Sequence, residues 1–274
     1  DEKTLKEISI NKEDIAVIAK ERVWQEFFSF FSASNTGELI RAMKETGLLL
    51  CLLPSPFPDW EKISIHYYRL EHILLNIDSY FPGRKLNLPE KALIKFALLL
   101  KEIDSNPLEN TNNKNLGLPN TYEFLRSLKI SNNEITFICK SIQNFHLLST
   151  YLSRNLNDSS LYDICKTCED KLLPGILLQT CTLPFPDRWG NNHNENLVSH
   201  TKILNFYFLR YLPALKEKAL LNGDDLIKIF NIAPSPVLGE VLQNIQRAQV
   251  LGEINTPAEA EALAAKILQP QKQN

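Results

Sequence analysis

LLNGDDLIKIFNIAPSPVLGEVLQNIQRAQVLGEINTPAEAEALAAKIL, Leu220 to Leu268, spells out helix starts, stops and faces almost residue by residue. Asp224 and Asp225 follow Gly223 and precede Leu226, Ile229 and Phe230. A short helix is therefore expected to open there, on an acidic first turn that suits the positive end of its dipole. Pro234 and Pro236 are expected to stop it. Leu238, Val241, Leu242 and Ile245 recur at three- and four-residue spacing, which puts them on one buried face and leaves Gln243, Asn244, Gln246 and Arg247 toward water. Gly252 closes that helix. Thr256-Pro257-Ala258-Glu259 is a capping box with proline at the first helical position, where its missing N–H costs nothing. A last helix follows, apolar at Leu263, Ile267 and Leu268. Periodicity alone thus predicts three packed helices.

The same kind of signal runs upstream. Asn87-Leu88-Pro89 opens one helix and Ser131-Asn132-Asn133-Glu134 is another capping box. With only 9 glycines in 274 residues, abundant Leu, Ile, Asn, Lys and Glu, and no sustained alternating run, the composition predicts an all-α protein. Three regions suggest themselves: a helical module at 1–54, a longer helical body at 55–212 behind Pro54, Pro56 and Pro58, and a helical tail at 213–274. Ser105 to Asn120 and Pro184 to Glu195 carry too much Asn, Pro and Gly for helix and are expected to be loops. The apolar runs LLLCLL and IKFALLL fall far short of the roughly 20 residues a bilayer demands. No signal peptide is visible. Five cysteines without framework spacing suit a reducing cytoplasm. The formal net charge of −2 is unlike that of a dedicated nucleic-acid binder, so any RNA would have to meet a basic stripe made by folding. Nothing in the sequence sets the oligomeric state.

The order of the tail signals resembles the C-terminal end of bacterial poly(A) polymerases and CCA-adding tRNA nucleotidyltransferases, whose text is roughly L-x-G-D-D-L, then P-G-P-x-(I/L)-G-x-x-L. Gly223, Asp224, Asp225, Leu226, Pro234, Pro236, Gly239 and Leu242 stand at those places, and Ser235 replaces a glycine. DEKTLKEI followed by AKERVWQEFFSFF resembles the segment after that family's catalytic head, with Glu21, Arg22, Val23 and Glu26 in an E-R-(I/V)-x-x-E-(L/F) motif. GLLLCLLP, Gly47 to Pro54, fits a boundary of the same family. The resemblance implies an elongated multi-helix array. It also implies a parent that adds nucleotides to RNA 3′ ends with Mg²⁺ held by a G-S-x-x-D loop and a D-x-D pair. This sequence contains neither motif, so it is expected to start downstream of such a head, to hold no catalytic or metal residue of that kind, and to need no cofactor of its own.

In the body, YYRLEHILLNID (Tyr67 to Asp78) and FALLLKEIDSNP (Phe96 to Pro107) resemble the metal-binding stretches of an HD domain, a helical phosphohydrolase fold. Such a site needs a histidine from one helix, an adjacent His-Asp pair from the next and a distal aspartate. His72 stands at the first place, but Lys101-Glu102 replaces the pair, and a lysine ammonium has no lone pair to donate. The HD-like region therefore reads as degenerate, with His72 as a packing histidine partnered by Glu71 or a backbone carbonyl. His146 is expected to be a satisfied packing residue. His193 and His200 flank a loop with Asp187 and are weak zinc candidates. Cys165 and Cys168 have C-x-x-C spacing without a second pair, which suits a helix face better than zinc.

Arg22 has two readings, an anchor bonded to carboxylates or helix carbonyls, or a contact to RNA phosphate. Phe27, Phe28, Phe30 and Phe31, and Phe206, Tyr207, Phe208 and Tyr211, could stack bases but at helical spacing read as core. The RNA contacts selected are Arg22, Lys101, Arg126, Lys129, Lys140 and Arg154. Together these lines predict an RNA-binding neck, body and tail portion of a nucleotide-adding enzyme, holding a tRNA acceptor arm or RNA 3′ end by shape. A stand-alone helical scaffold derived from that family is the alternative, with a divergent HD phosphohydrolase behind it.

Overall fold

The structure is a computed structural model and describes residues 1–54, 59–104, 116–151, 156–183 and 195–268. Every regular element among the described residues is helical. The backbone packs as two compact units, Asp1–Arg154 with Cys168–His200, and Asn155–Thr167 with Thr201–Asn274. The first gathers the 1–54 module with most of the expected body.

In chain order the elements of the first unit begin with α1 (Glu2–Asn11), α2 (Lys20–Ser32), α3 (Thr36–Glu45), α4 (Leu48–Leu52), α5 (Trp60–Leu75), α6 (Ile77–Tyr80), α7 (Leu88–Leu100), α8 (Pro119–Ser127) and α9 (Asn132–Tyr151). After α10 (Asp158–Cys168), α11 (Leu172–Thr182) returns to it. Local chemistry sets many boundaries. Gly47 takes a left-handed φ of 76° between α3 and α4, a conformation that suits glycine. Asn87 and Glu90 exchange side-chain bonds at the start of α7, and Ser131 and Glu134 do so before α9.

The core of this unit is α11, which packs on α9 and α5, together with α7, which packs on α9, α2 and α5. Nine consecutive residues of α7, Ala92 to Leu100, are buried, as are ten of α11, Leu172 to Cys181. Helices that apolar all round belong at the centre of a large core. The close approach of α9 to α11 rests on Gly175: a β-carbon there would lie 2.5 Å from Asn144 Cβ. Asn144 in turn donates from Nδ2 to the Cys168 carbonyl at 2.9 Å. On the α2 side, Phe27 and Phe31 are buried against Phe96 at ring-centroid distances of 5.5 and 5.0 Å, while Phe28 and Phe30 are half-buried.

The second unit contains the end of α12 (Glu195–Phe206), a π-helical turn at Tyr207–Tyr211, α13 (Leu212–Lys216), α14 (Gly223–Phe230), α15 (Pro236–Leu251) and α16 (Pro257–Leu268). Asn222 caps α14 in a box with Asp225, and Asn231 at φ 46° ends it before either proline acts. Pro236 instead starts α15. Ser235 sits at φ −157°, extended backbone open to any residue, so glycine is not required there. Gly252 closes α15 at φ 70°, and Thr256 and Glu259 form the expected box before α16. Leu226, Leu238, Val241, Ile245, Ala260 and Ala264 make the core of the tail. Arg210 closes the C-terminal end of α15 by donating from Nε to the Val250 carbonyl at 2.8 Å and from its fork to the Leu251 carbonyl and Asp158.

Candidate nucleic-acid interface

The N-terminal module is fixed to the core by a charge that its own sequence does not contain. Lys95, at the middle of α7, sends its Nζ to the Ala33 carbonyl at 2.5 Å, to Thr36 Oγ1 at 3.0 Å and to Glu71 Oε1 at 3.1 Å. Glu71 Oε1 also accepts from the Thr36 backbone N at 2.6 Å, which satisfies an orphan donor at the start of α3. All three side chains are buried. Burial pulls the Lys95 ammonium below the usual lysine range, with the Glu71 charge opposing it. The loop between α2 and α3 is thereby held in one geometry against α5 and α7. Around α1 to α4 lies a cavity of about 870 Å³, lined by Leu5, Ile8, Phe27, Phe30 and Met43, with Arg22 and Glu26 also on its wall.

The degenerate HD-like centre forms differently from its sequence reading. His72 is exposed on α5, with Nδ1 3.1 Å from the Tyr80 hydroxyl, and Glu71 is committed to Lys95. This corrects the expectation of a packed His72 partnered by Glu71 or a carbonyl. The buried histidine of α5 is His66, earlier on the same helix and 4 % exposed; its Nδ1 meets no hydrogen-bond partner among the described residues. Burial, reinforced by the charges of Lys101, Arg69 and Lys62, pushes its imidazole down to about 4. Lys101 is itself buried and paired with Glu102, with its Nζ 5.2 Å from the centre of the Phe145 ring. Burial alone would raise the Glu102 carboxyl; the bond and charge of Lys101 outweigh it and hold it low. His146 Nε2 lies 3.1 Å from the Lys101 carbonyl, the satisfied packing role expected of it.

A divalent ion does not fit this donor set. An ammonium occupies the centre, and Asp104 is spent on the start of α8, accepting from Asn120 N, Thr121 N and Thr121 Oγ1. Among the described residues no three of His, Cys, Asp and Glu come together as a metal site. Cys165 and Cys168 are buried, and burial pushes the Cys168 thiol up to about 12, away from the thiolate a metal needs. His200 is fully buried with Nδ1 3.0 Å from Thr180 Oγ1. His193 and Asp187 lie outside the described residues.

The selected RNA contacts scatter. Arg22 is exposed on α2, on the wall of the cavity around α1 to α4. Arg126 is exposed at the end of α8 with its guanidinium 6.0 Å from the Tyr122 ring centre. Lys129 follows it on an exposed turn at φ 58°. Lys140 is partly exposed and paired with Glu169. Lys101 is 2 % exposed and turned inward, which corrects its selection as a surface contact: the last nine residues of α7 are all buried, and the residue that caps the helix follows them into the core. Arg154 lies outside the described residues. Phe206, Tyr207 and Tyr211 are buried, and Phe208 is half-buried, in keeping with core.

Residues 114–267, more than half the chain, match the family model described as tRNA nucleotidyltransferase domain 2, putative. The chain belongs to the tRNA nucleotidyltransferase family. Residues 1–58 match a second family model, described as the probable RNA and SrmB-binding site of polymerase A. The A-adding tRNA nucleotidyltransferase of Deinococcus radiodurans is 37% identical over 62 residues, which are 21% of this chain and 14% of that relative. The chain therefore matches only a small part of that relative's length. Of the stretch that matches the binding-site model, the described residues 1–54 are braced against α5 and α7 through Glu71 and Lys95. No helix among the described residues is long and apolar enough to cross a membrane. No motif marks His66, whose burial is set by how α5 packs.

Proposed function

We propose that this chain is the RNA-holding portion of a nucleotide-adding enzyme: it grips a tRNA acceptor arm or RNA 3′ end while chemistry takes place on residues outside it. The observation that carries this is the match of residues 1–58 to an RNA-binding-site model, on a module that exposes cations such as Arg22 and Lys44. A-form RNA offers phosphates and 2′-hydroxyls that a helical surface can grip by shape, without base-edge contacts. By itself the chain is inert, and Mg²⁺ belongs to carboxylates that this sequence does not contain. A tRNA-handling role also suits the cytoplasm.

Filter binding of tRNA across a salt series tests the proposal. Each phosphate neutralised contributes roughly −0.9 to the slope of log K against log salt, so affinity should fall steeply as salt rises. Absent binding at low salt, or binding indifferent to salt, would sink it.

A further inference from the structure

Between α3 and α5 lies a cleft of about 370 Å³ lined by Gly37, Arg41, Lys44, Glu45, Trp60, Glu61, Ser64 and Tyr68. On α3 the residues Gly37, Arg41 and Lys44 stand at i, i+4 and i+7; on α5, Trp60, Ser64 and Tyr68 stand at i, i+4 and i+8. Each set is thus one helix face. The cleft has two rings, two cations and a volume within the range of small-ligand sites, roughly 300–1,000 Å³.

Its walls are set but not fully committed. Tyr68 is 48% exposed and its hydroxyl donates to Glu38 Oε1 at 2.6 Å, which fixes the ring while leaving its faces accessible. Trp60 is half-buried at the first position of α5, where Asp59 caps the helix by accepting from Glu61 N and Lys62 N. Arg41 pairs with Glu45 at 3.0 Å, but the two side chains are 64% and 57% exposed, so an ion pair there is weak and easily exchanged. Lys44 is exposed.

We propose that this cleft takes one unpaired nucleotide of an RNA strand, its base against Trp60 and Tyr68 and its phosphate at Arg41 and Lys44. The proposal rests on the RNA-holding function above and adds a place and a chemistry to it. Aromatic faces accept any base, and cations track the backbone, which is how single strands are held without sequence preference. Charge restricts the occupant further. On the lining, Arg41 and Lys44 are balanced by Glu45 and Glu61, so the cleft is near neutral: it takes one phosphate where that group displaces Glu45 from Arg41, and has no excess of cations for the closely spaced phosphates of a duplex. The carboxylates of Glu45 and Glu61 can instead accept from a 2′-hydroxyl or an exocyclic amine.

The test compares the 274-residue chain with Trp60→Leu, Trp60→Phe and Lys44→Gln, using a short single-stranded RNA, a blunt RNA duplex and tRNA as probes. Trp60→Leu should weaken single-strand binding roughly tenfold, Trp60→Phe should keep most of it, and duplex binding should not change. Lys44→Gln, on an exposed position that does not threaten folding, should reduce the salt slope for single strands by about 1. If tRNA binds but Trp60→Leu and Lys44→Gln leave single-strand binding within about twofold, the cleft is not the site and the RNA-holding function stands. If the unaltered chain binds none of the three RNAs, both fall. Should Trp60→Leu fail to fold, Lys44→Gln alone decides.

Discussion

Lys95 Nζ and Glu71 Oε1 lie 3.1 Å apart inside the protein, and both groups also hold the first residue of α3. Breaking one partner of a buried pair leaves an uncompensated charge, at a cost of about 3–5 kcal/mol. Lys95→Met is therefore expected to lower the free energy of unfolding by that amount, read as a fall in the urea midpoint with little change in slope. Replacing both residues should cost less than the sum of the single replacements, because no lone charge is left; the remaining penalty reports the Thr36 amide that Glu71 had satisfied. Strict additivity would show that the two residues act independently.

Two glycines in helices should respond in opposite directions. Gly175→Ala puts a β-carbon 2.5 Å from Asn144 Cβ, so α9 and α11 must move apart, at about 1–3 kcal/mol of stability. Gly239 lies in α15 with nothing within 4 Å of an added β-carbon. Gly239→Ala should stabilise by about 0.5–1 kcal/mol. Thermal unfolding of the two variants checks both signs.

Much of this arrangement was legible from local chemistry. The helix start at Asn87, the boxes at Ser131 and Thr256 and the stop at Gly252 were readable because cap and partner lie within a turn of each other. The same holds for the apolar face from Leu238 to Ile245. The bracing of α3 was not, because Glu71 and Lys95 are 24 residues apart and meet only when α5 packs on α7. Nor was the exchange of roles on α5, where His66 is buried and His72 exposed. Both fall in a helix whose two histidines differ only in which neighbour they face, and a shared text with HD domains favoured the wrong one. Lys101 misled for a related reason: lysine is expected outside, but here its Glu102 partner and the Phe145 ring allow burial.

Acid should loosen the protein through its buried histidines. Burial pushes His200 down to about 4 from an ordinary 6.5, and His66 likewise. Each folded value is depressed, so the unfolded chain binds more protons between those limits. The stabilisation is complete above about pH 6.5 and is lost as pH falls toward 4, by up to about 3 kcal/mol per group. Urea midpoints taken across that window should drop. His200→Leu should flatten part of the drop; an unchanged profile would mean that His200 protonates freely in the folded state.

Surface and buried lysines should separate in RNA binding. Arg126→Ala and Lys129→Gln remove exposed cations and should each lower the salt slope for tRNA by about 1 if they meet phosphate. Lys101→Met should leave that slope alone while changing stability, since its ammonium is 2 % exposed and paired with Glu102. A loss of RNA affinity in Lys101→Met at full stability would contradict its inward placement.

The most direct measurement pits an acceptor-stem minihelix with a single-stranded 3′ end against an anticodon stem-loop of equal length, both titrated with this chain at low and at moderate salt. Grip on the RNA terminus predicts tighter binding to the minihelix at both salts, with affinity falling as salt rises. Equal affinity for the two hairpins, or none for either, would contradict it.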